Sequence, residues 1–245
     1  MKNILIVVII AIVLGACSSN KIKDQMPVAK KMEIADDFFG RKKYHKAIPY
    51  YTDVAFERNS TYTSEAQLKL ADCYFLQNKF TEARFEYEEL IRLFHDSKEI
   101  NRAYFQVGVC FFEDSLNPHY TQEETREAIN AFETFLQKFP FDERKQEAIE
   151  YIQKCHEKLI QKKYYNGYAY YKMHDYPAAF MYFDEIIELE NLNEIDKMAL
   201  YHEARMYLVR KDKNNSMRIA EALNARYPDS KETNKINKLI EKKFK

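Results

Sequence analysis

From about residue 28 onward, apolar residues recur three and four positions apart, and few runs alternate with a period of two. That spacing gathers apolar side chains on one face of a helix, so the pattern predicts amphipathic helices along the chain. They are expected near 28–41 and 45–57, near 64–77 and 80–94, and near 98–113 and 122–138. A helical stretch then runs from Asp142 toward Tyr171, and the pattern leaves open whether it is one helix or two. Pro177 suits the first turn of the next helix, which reaches about Leu189, because an amide proton is dispensable there. A pair over 195–227 and a last helix over 230–243 follow. Pro140 and Pro228 mark helix ends, since proline lacks the amide proton and clashes with the preceding turn.

The helices repeat a register. Small residues Ala35, Ala71, Gly108, Gly167 and Ala204 are each followed three positions later by an aromatic: Phe38, Tyr74, Phe111, Tyr170 and Tyr207. Twelve positions after four of them lie Ala47, Ala83, Ala179 and Ser216. Four further on come Tyr51, Tyr87, Phe183 and Ala220, and then Val54, Leu90, Ile186 and Leu223. Two helices approach closely only where a small side chain faces its partner, and rings fill the space between turns. The spacing resembles the tetratricopeptide repeat.

In the third unit Ala128, Phe132 and Phe135 form the second helix, displaced by an insertion at 113–122 that carries Asn117-Pro118. The expected fold is therefore all-α: a tetratricopeptide-repeat solenoid of about five helix pairs with a C-terminal capping helix. Repeats one to three occupy 28–140 (28–59, 64–95 and 98–140). Repeats four and five and the cap occupy 141–245. Each repeat buries its apolar face only against its neighbours.

The first residues carry a different signal. Lys2 precedes an apolar run from Ile4 to Leu14, too short for a bilayer span, and Leu14-Gly15-Ala16-Cys17 closes it. This end resembles the lipobox of bacterial lipoproteins. The likeness implies that 1–16 is a signal peptide, that Cys17 becomes the lipidated first residue, and that 17–27 is a tether. Ser18 after the cysteine resembles a sorting signal for the outer membrane. Buried acyl chains then hold the protein on a membrane, at roughly 0.8 kcal/mol per methylene.

Composition narrows the chemistry. The 38 basic and 38 acidic residues balance, so no basic footprint calls for nucleic acid. Cys73, Cys110 and Cys155 are odd in number, widely spaced and set in apolar helical patterns, which reads as buried thiols rather than a disulfide framework. His45, His95, His119, His156, His174 and His202 are scattered and read as loop or surface residues. No His-Glu-x-x-His motif, phosphate loop or metal-ligand spacing of cysteines occurs. The expectation is a protein that is not an enzyme and carries no cofactor and no metal.

There are 19 tyrosines and 17 phenylalanines. Along the first helix of each pair, Asp36, Phe39, Asp72, Phe75, Phe105 and Phe112 mark the N-terminal half. Tyr164, Tyr168, Tyr171, Tyr201 and Arg205 mark the other. Rings with scattered carboxylates suit a groove for a peptide or extended chain.

Three features together resemble the BamD family of outer-membrane β-barrel assembly lipoproteins: the lipobox, about five repeats, and the interior loop. The likeness is most specific in Tyr120 to Pro140. It extends to the tyrosine-rich Tyr164 to Ile187 segment and to Tyr227-Pro228-Asp229-Ser230. It implies a non-catalytic scaffold, lipid-anchored at the periplasmic face of the outer membrane. Repeats four and five, with Arg205 and Arg210, would dock on the periplasmic region of a BamA-like barrel protein. The groove of Asp36, Phe39, Asp72 and Phe75 would receive unfolded outer-membrane proteins, and other assembly lipoproteins are further candidate partners. The competing reading is another periplasmic tetratricopeptide lipoprotein that serves as an envelope scaffold.

Overall fold

The computed structural model describes residues 26–57 and 60–245. The expected signal peptide, Cys17 and the tether as far as Gln25 lie outside the described residues. Among the described residues there are eleven α-helices and no strand. They are α1 (Val28–Gly40), α2 (Tyr44–Ala55), α3 (Thr63–Phe75), α4 (Phe80–Leu93), α5 (Ile100–Asp114) and α6 (Glu123–Lys138), followed by α7 (Lys145–Lys172), α8 (Tyr176–Ile187), α9 (Glu194–Val209), α10 (Lys213–Arg226) and α11 (Lys231–Phe244). The helical reading is borne out, and the open question about the fourth repeat is decided: α7 is a single helix of 28 residues.

Two compact units divide the chain. One comprises the described residues up to Asp114 together with 130–148; the other comprises 115–129 and 149–245. In the first, successive helices from α1 to α5 pack pairwise. Ala35, Ala47, Tyr51, Val54 and Cys73 form one buried layer, and Ala71, Ala83, Tyr87, Leu90 and Ala103 form the next. The repeated small and aromatic positions are therefore the contacts between helices.

Gly108 shows why a small residue is needed. A Cβ built there would lie 2.7 Å from the Phe132 ring, inside van der Waals contact. Phe132 in turn packs edge-on to Phe105, with ring centroids 5.6 Å apart.

In the second unit α8, α9, α10 and α11 pack together. Gly167 repeats the close approach: a Cβ there would lie 2.9 Å from the Phe183 ring. Ser216 stands where earlier repeats have alanine; its hydroxyl donates to the Ala204 carbonyl at 3.2 Å, which satisfies a buried polar group. Helix starts follow local chemistry: Asp175, Asn193, Asp212 and Ser230 each accept from an amide in the first turn.

The insertion is ordered against its own unit. Lys158 Nζ donates to Ser115 Oγ at 2.6 Å, and His119 stacks on Tyr165 at 3.8 Å. Gln122 Nε2 donates to the carbonyls of Asn117 (3.0 Å) and Thr121 (2.9 Å).

Four hairpin turns share one feature. Lys42, Asn78, His174 and Lys211 have φ of 55°, 58°, 63° and 61°. Each lies seven positions after its repeat's small residue. The left-handed turn is a property of the repeat, met by residues other than glycine.

Candidate functional site

Two surfaces collect the candidate residues, one in each unit. In the first unit, α1, α3 and α5 border a cavity of about 420 Å³ lined by Phe39, Leu68, Lys69, Asp72, Lys98 and Arg102, among others. Phe39 is half-buried, held edge-on by Tyr44 at 5.5 Å and Tyr51 at 6.3 Å.

The two aspartates are bound within the fold. Tyr51 donates to Asp36 Oδ1 at 2.7 Å, and Lys69 donates to the same oxygen at 2.8 Å. Tyr87 donates to Asp72 Oδ1 at 2.6 Å, while Arg102 Nη2 reaches both oxygens of Asp72 at 2.8 Å. Each carboxylate thus ties its own repeat's second helix to the next repeat's first helix. Burial, and then the neighbouring carboxylate, pushes both phenols well above the ordinary tyrosine range. Burial disfavours the charge on Lys69, but its bonds to Asp36 and Glu65 outweigh this and raise its pKa.

Other expected groove residues differ in exposure. Phe105 is only 4% exposed and sits edge-on between Phe132 and Phe135, so it is a core residue and presents no ring to a ligand. Phe75 is half-buried against Phe80 at 5.4 Å, and Phe112 is half-buried near the end of α5. The cations Lys69, Lys98 and Arg102 were not anticipated. Opposite charges about one repeat apart on first helices, Asp36 with Lys69 and Asp72 with Arg102, were the signal available.

In the second unit α7 and α9 bring together Tyr164, Tyr168, Tyr171, Tyr201 and Arg205. Tyr164, Tyr168 and Tyr171 stack along one face of α7, with centroids 6.0 and 5.9 Å apart. The Arg205 guanidinium lies over Tyr171 at 5.8 Å and Tyr201 at 5.6 Å. Tyr201 is 4% exposed and belongs mostly to the interior. Arg210 stands apart, exposed, over the Phe180 ring at 5.8 Å.

At the centre of these rings is His202, which corrects the expectation of a loop or surface histidine. It is 5% exposed, with Tyr171 at 4.7 Å, Tyr168 at 5.1 Å and Phe183 stacked at 5.9 Å. Neither ring nitrogen has a hydrogen-bond partner among the described residues. Burial, reinforced by Arg205 and Lys235, depresses its pKa to about 4, so the imidazole is neutral near pH 7. The next residue, Glu203, faces Asp184. Burial and that carboxylate push it up to about 8. The surface is aromatic and cationic at its edge, suited to holding an extended chain or another protein's loop.

Cys73, Cys110 and Cys155 are free and buried, as their apolar settings led one to expect. Burial pushes their thiols up to about 12, 12 and 11. Among the described residues no helix is long and apolar enough to cross a membrane.

Known proteins resemble the chain. The sequence model of the YfiO family, described as outer membrane lipoprotein, matches residues 24–188. An outer membrane protein assembly factor BamD from Caulobacter vibrioides is 23% identical over 188 residues, which are 76% of this chain and 61% of that relative. Among solved structures, a tetratricopeptide repeat protein from Parabacteroides merdae is 17% identical. That match covers 88% of this chain and 74% of the other, with a TM-score of 0.38. The TPR2AB domain of yeast Sti1, solved as a pHSP90 complex, is 11% identical over 89% of this chain and 98% of the other, with a TM-score of 0.41.

Proposed function

Because the chain belongs to the YfiO family of outer membrane lipoproteins, we propose that it is a non-catalytic scaffold of outer-membrane β-barrel assembly. Lipid on Cys17 would hold it at the periplasmic face of the outer membrane. The observation that carries this reading is the family match over 24–188, which takes in both candidate surfaces except Tyr201, His202, Arg205 and Arg210.

The two surfaces receive separate tasks. The tyrosine face of α7, with Arg205, docks on the periplasmic region of a BamA-like barrel protein. Rigid rings offer large contact area at little entropic cost, and a guanidinium stacked on them is held ready for a carboxylate. The first-unit cavity receives unfolded outer-membrane proteins. Phe39 offers an apolar wall, and Lys98 offers positive charge to a client carboxylate, while Lys69 and Arg102 are already paired with Asp36, Glu65 and Asp72. Asp36 and Asp72 position Lys69 and Arg102 rather than meeting the client themselves.

A mild-detergent pull-down of the lipidated protein from its native envelope tests this. A BamA-like barrel protein should be recovered, and Tyr168→Ala with Arg205→Ala should remove it while circular dichroism stays unchanged. Recovery of other envelope proteins without any barrel-assembly subunit would sink the proposal and favour a different envelope scaffold.

A further inference from the structure

A second cavity lies on the other helices of the first unit. It measures about 600 Å³ and is bordered by α2, α3 and α4. Its lining is apolar along Ala55, Phe56, Leu70, Phe85, Leu93 and Phe94. Three of these are unusually open to solvent for their size: Phe56 at 79%, Phe85 at 58% and Leu93 at 40%. Large apolar side chains clustered around a concavity are uncommon on a surface with nothing to bind. The volume falls in the range of pockets that bury a drug-sized ligand, which leaves room for bulky side chains. None of these residues belongs to either surface assigned above.

The charges on the wall say what kind of side chain would sit beside that apolar floor. Glu89 and Arg92 neutralise one another: Arg92 Nε donates to Glu89 Oε1 at 2.9 Å and Nη2 to Oε2 at 2.5 Å. Glu86 is left over. Its Oε2 accepts from Gln67 Nε2 at 2.6 Å, and among the described residues no cation pairs with it. Burial, then the nearby Glu89, raises its pKa, with the Gln67 bond acting against them. A half-buried carboxylate with an amide for its partner is stabilised by any cation brought to it in a partly desolvated setting.

We propose that this cavity is a docking site for a segment of another protein that carries an aromatic or branched apolar residue beside a lysine or arginine. The apolar side chain enters between Phe56, Phe85 and Leu93. The cation pairs with Glu86. This inference does not rest on the assembly role, and its test is separate from the pull-down.

The test is selection of random twelve-residue peptides, displayed on phage, on the full chain with Cys17→Ser. Peptides that also bind a Phe85→Ser variant are subtracted, which removes ligands of the other surfaces. Phe85 is exposed, so the variant should keep its helical circular dichroism. The surviving peptides should pair an aromatic or branched apolar residue with a lysine or arginine within about two positions. One such peptide, made synthetically and labelled, should bind the Glu86→Gln variant roughly tenfold more weakly. Its lysine→glutamate version should not bind. Two results would overturn the proposal. One is that no peptide depends on Phe85. The other is that the dependent peptides show no basic preference, or keep their affinity when Glu86 is neutralised. Concentration-dependent self-association that blocks selection and is lost in Phe85→Ser would also overturn it, by making a second copy of the chain the occupant.

Discussion

The Tyr87 hydroxyl donates to Asp72 at 2.6 Å, and one repeat earlier Tyr51 makes the same contact with Asp36 at 2.7 Å. In both cases a cation from the following first helix, Arg102 or Lys69, meets the same carboxylate. The bond recurs in the first two repeats, whereas repeats four and five carry Phe183 and Ala220 at the tyrosine's place. Tyr87→Phe removes one donor from a nearly buried carboxylate and should cost about 1–3 kcal/mol. Tyr51→Phe should cost less, because Asp36 is more open to water. Urea denaturation of the two variants checks the order, and equal or reversed losses would contradict the account.

Glycine at two contacts is a steric requirement. Gly108→Ala would push a methyl group into the Phe132 ring and should destabilise by about 1–3 kcal/mol. Gly40→Ala meets nothing within 4 Å. It should be neutral or stabilising by up to about 1 kcal/mol. Thermal melts of the pair separate close approach from a general effect of adding a methyl group.

The left-handed turns offer the opposite substitution. Lys42, His174 and Lys211 occupy φ near 60° at a cost that glycine does not bear. Each single change to glycine should stabilise by about 0.5–1 kcal/mol, seen as a higher urea midpoint. Asn78→Gly should gain less, since asparagine tolerates this region.

His202 and Glu203 should tilt stability in opposite directions with pH. Folded His202 has its pKa depressed to about 4 from 6.5, so between those values the unfolded chain binds the extra proton. Stability from this group is full above pH 6.5 and is lost as pH falls toward 4. Folded Glu203 is raised to about 8 from 4.5, so the folded state holds the extra proton between them. Its contribution is full below pH 4.5 and is lost as pH rises toward 8. His202→Leu should flatten the acid side of a melting-temperature profile, and Glu203→Gln the neutral-to-alkaline side. Unchanged slopes in both variants would count against the burial argument.

The thiols provide a check on packing. With Cys17 replaced by serine, Cys73, Cys110 and Cys155 should react with a thiol reagent at about pH 8 only as fast as the protein opens. In urea all three should react at once. Rapid labelling of the native protein would mean that the helix layers holding them are open.

Local pattern accounts for the helices, their pairing and the ladder of small and aromatic contacts. Those features follow from local period and from a register that recurs, so Ala71, Tyr87 and Leu90 announce one another. The sequence also carried the resemblance to a lipobox that ends at Cys17, because such a signal is a linear motif.

What a given ring or charge does was decided by tertiary structure. Phe105 and Phe39 both lie on first helices, yet Phe132 and Phe135 cover one and leave the other beside a cavity. His202 reads as an isolated histidine until α7 and α8 bring Tyr168, Tyr171 and Phe183 around it. Asp72 looks like a free acid until Tyr87 and Arg102 arrive from two other helices. A helical period tells which residues share a face. Which neighbour covers that face, and so sets burial, pairing and pKa, depends on contacts between residues far apart in the chain.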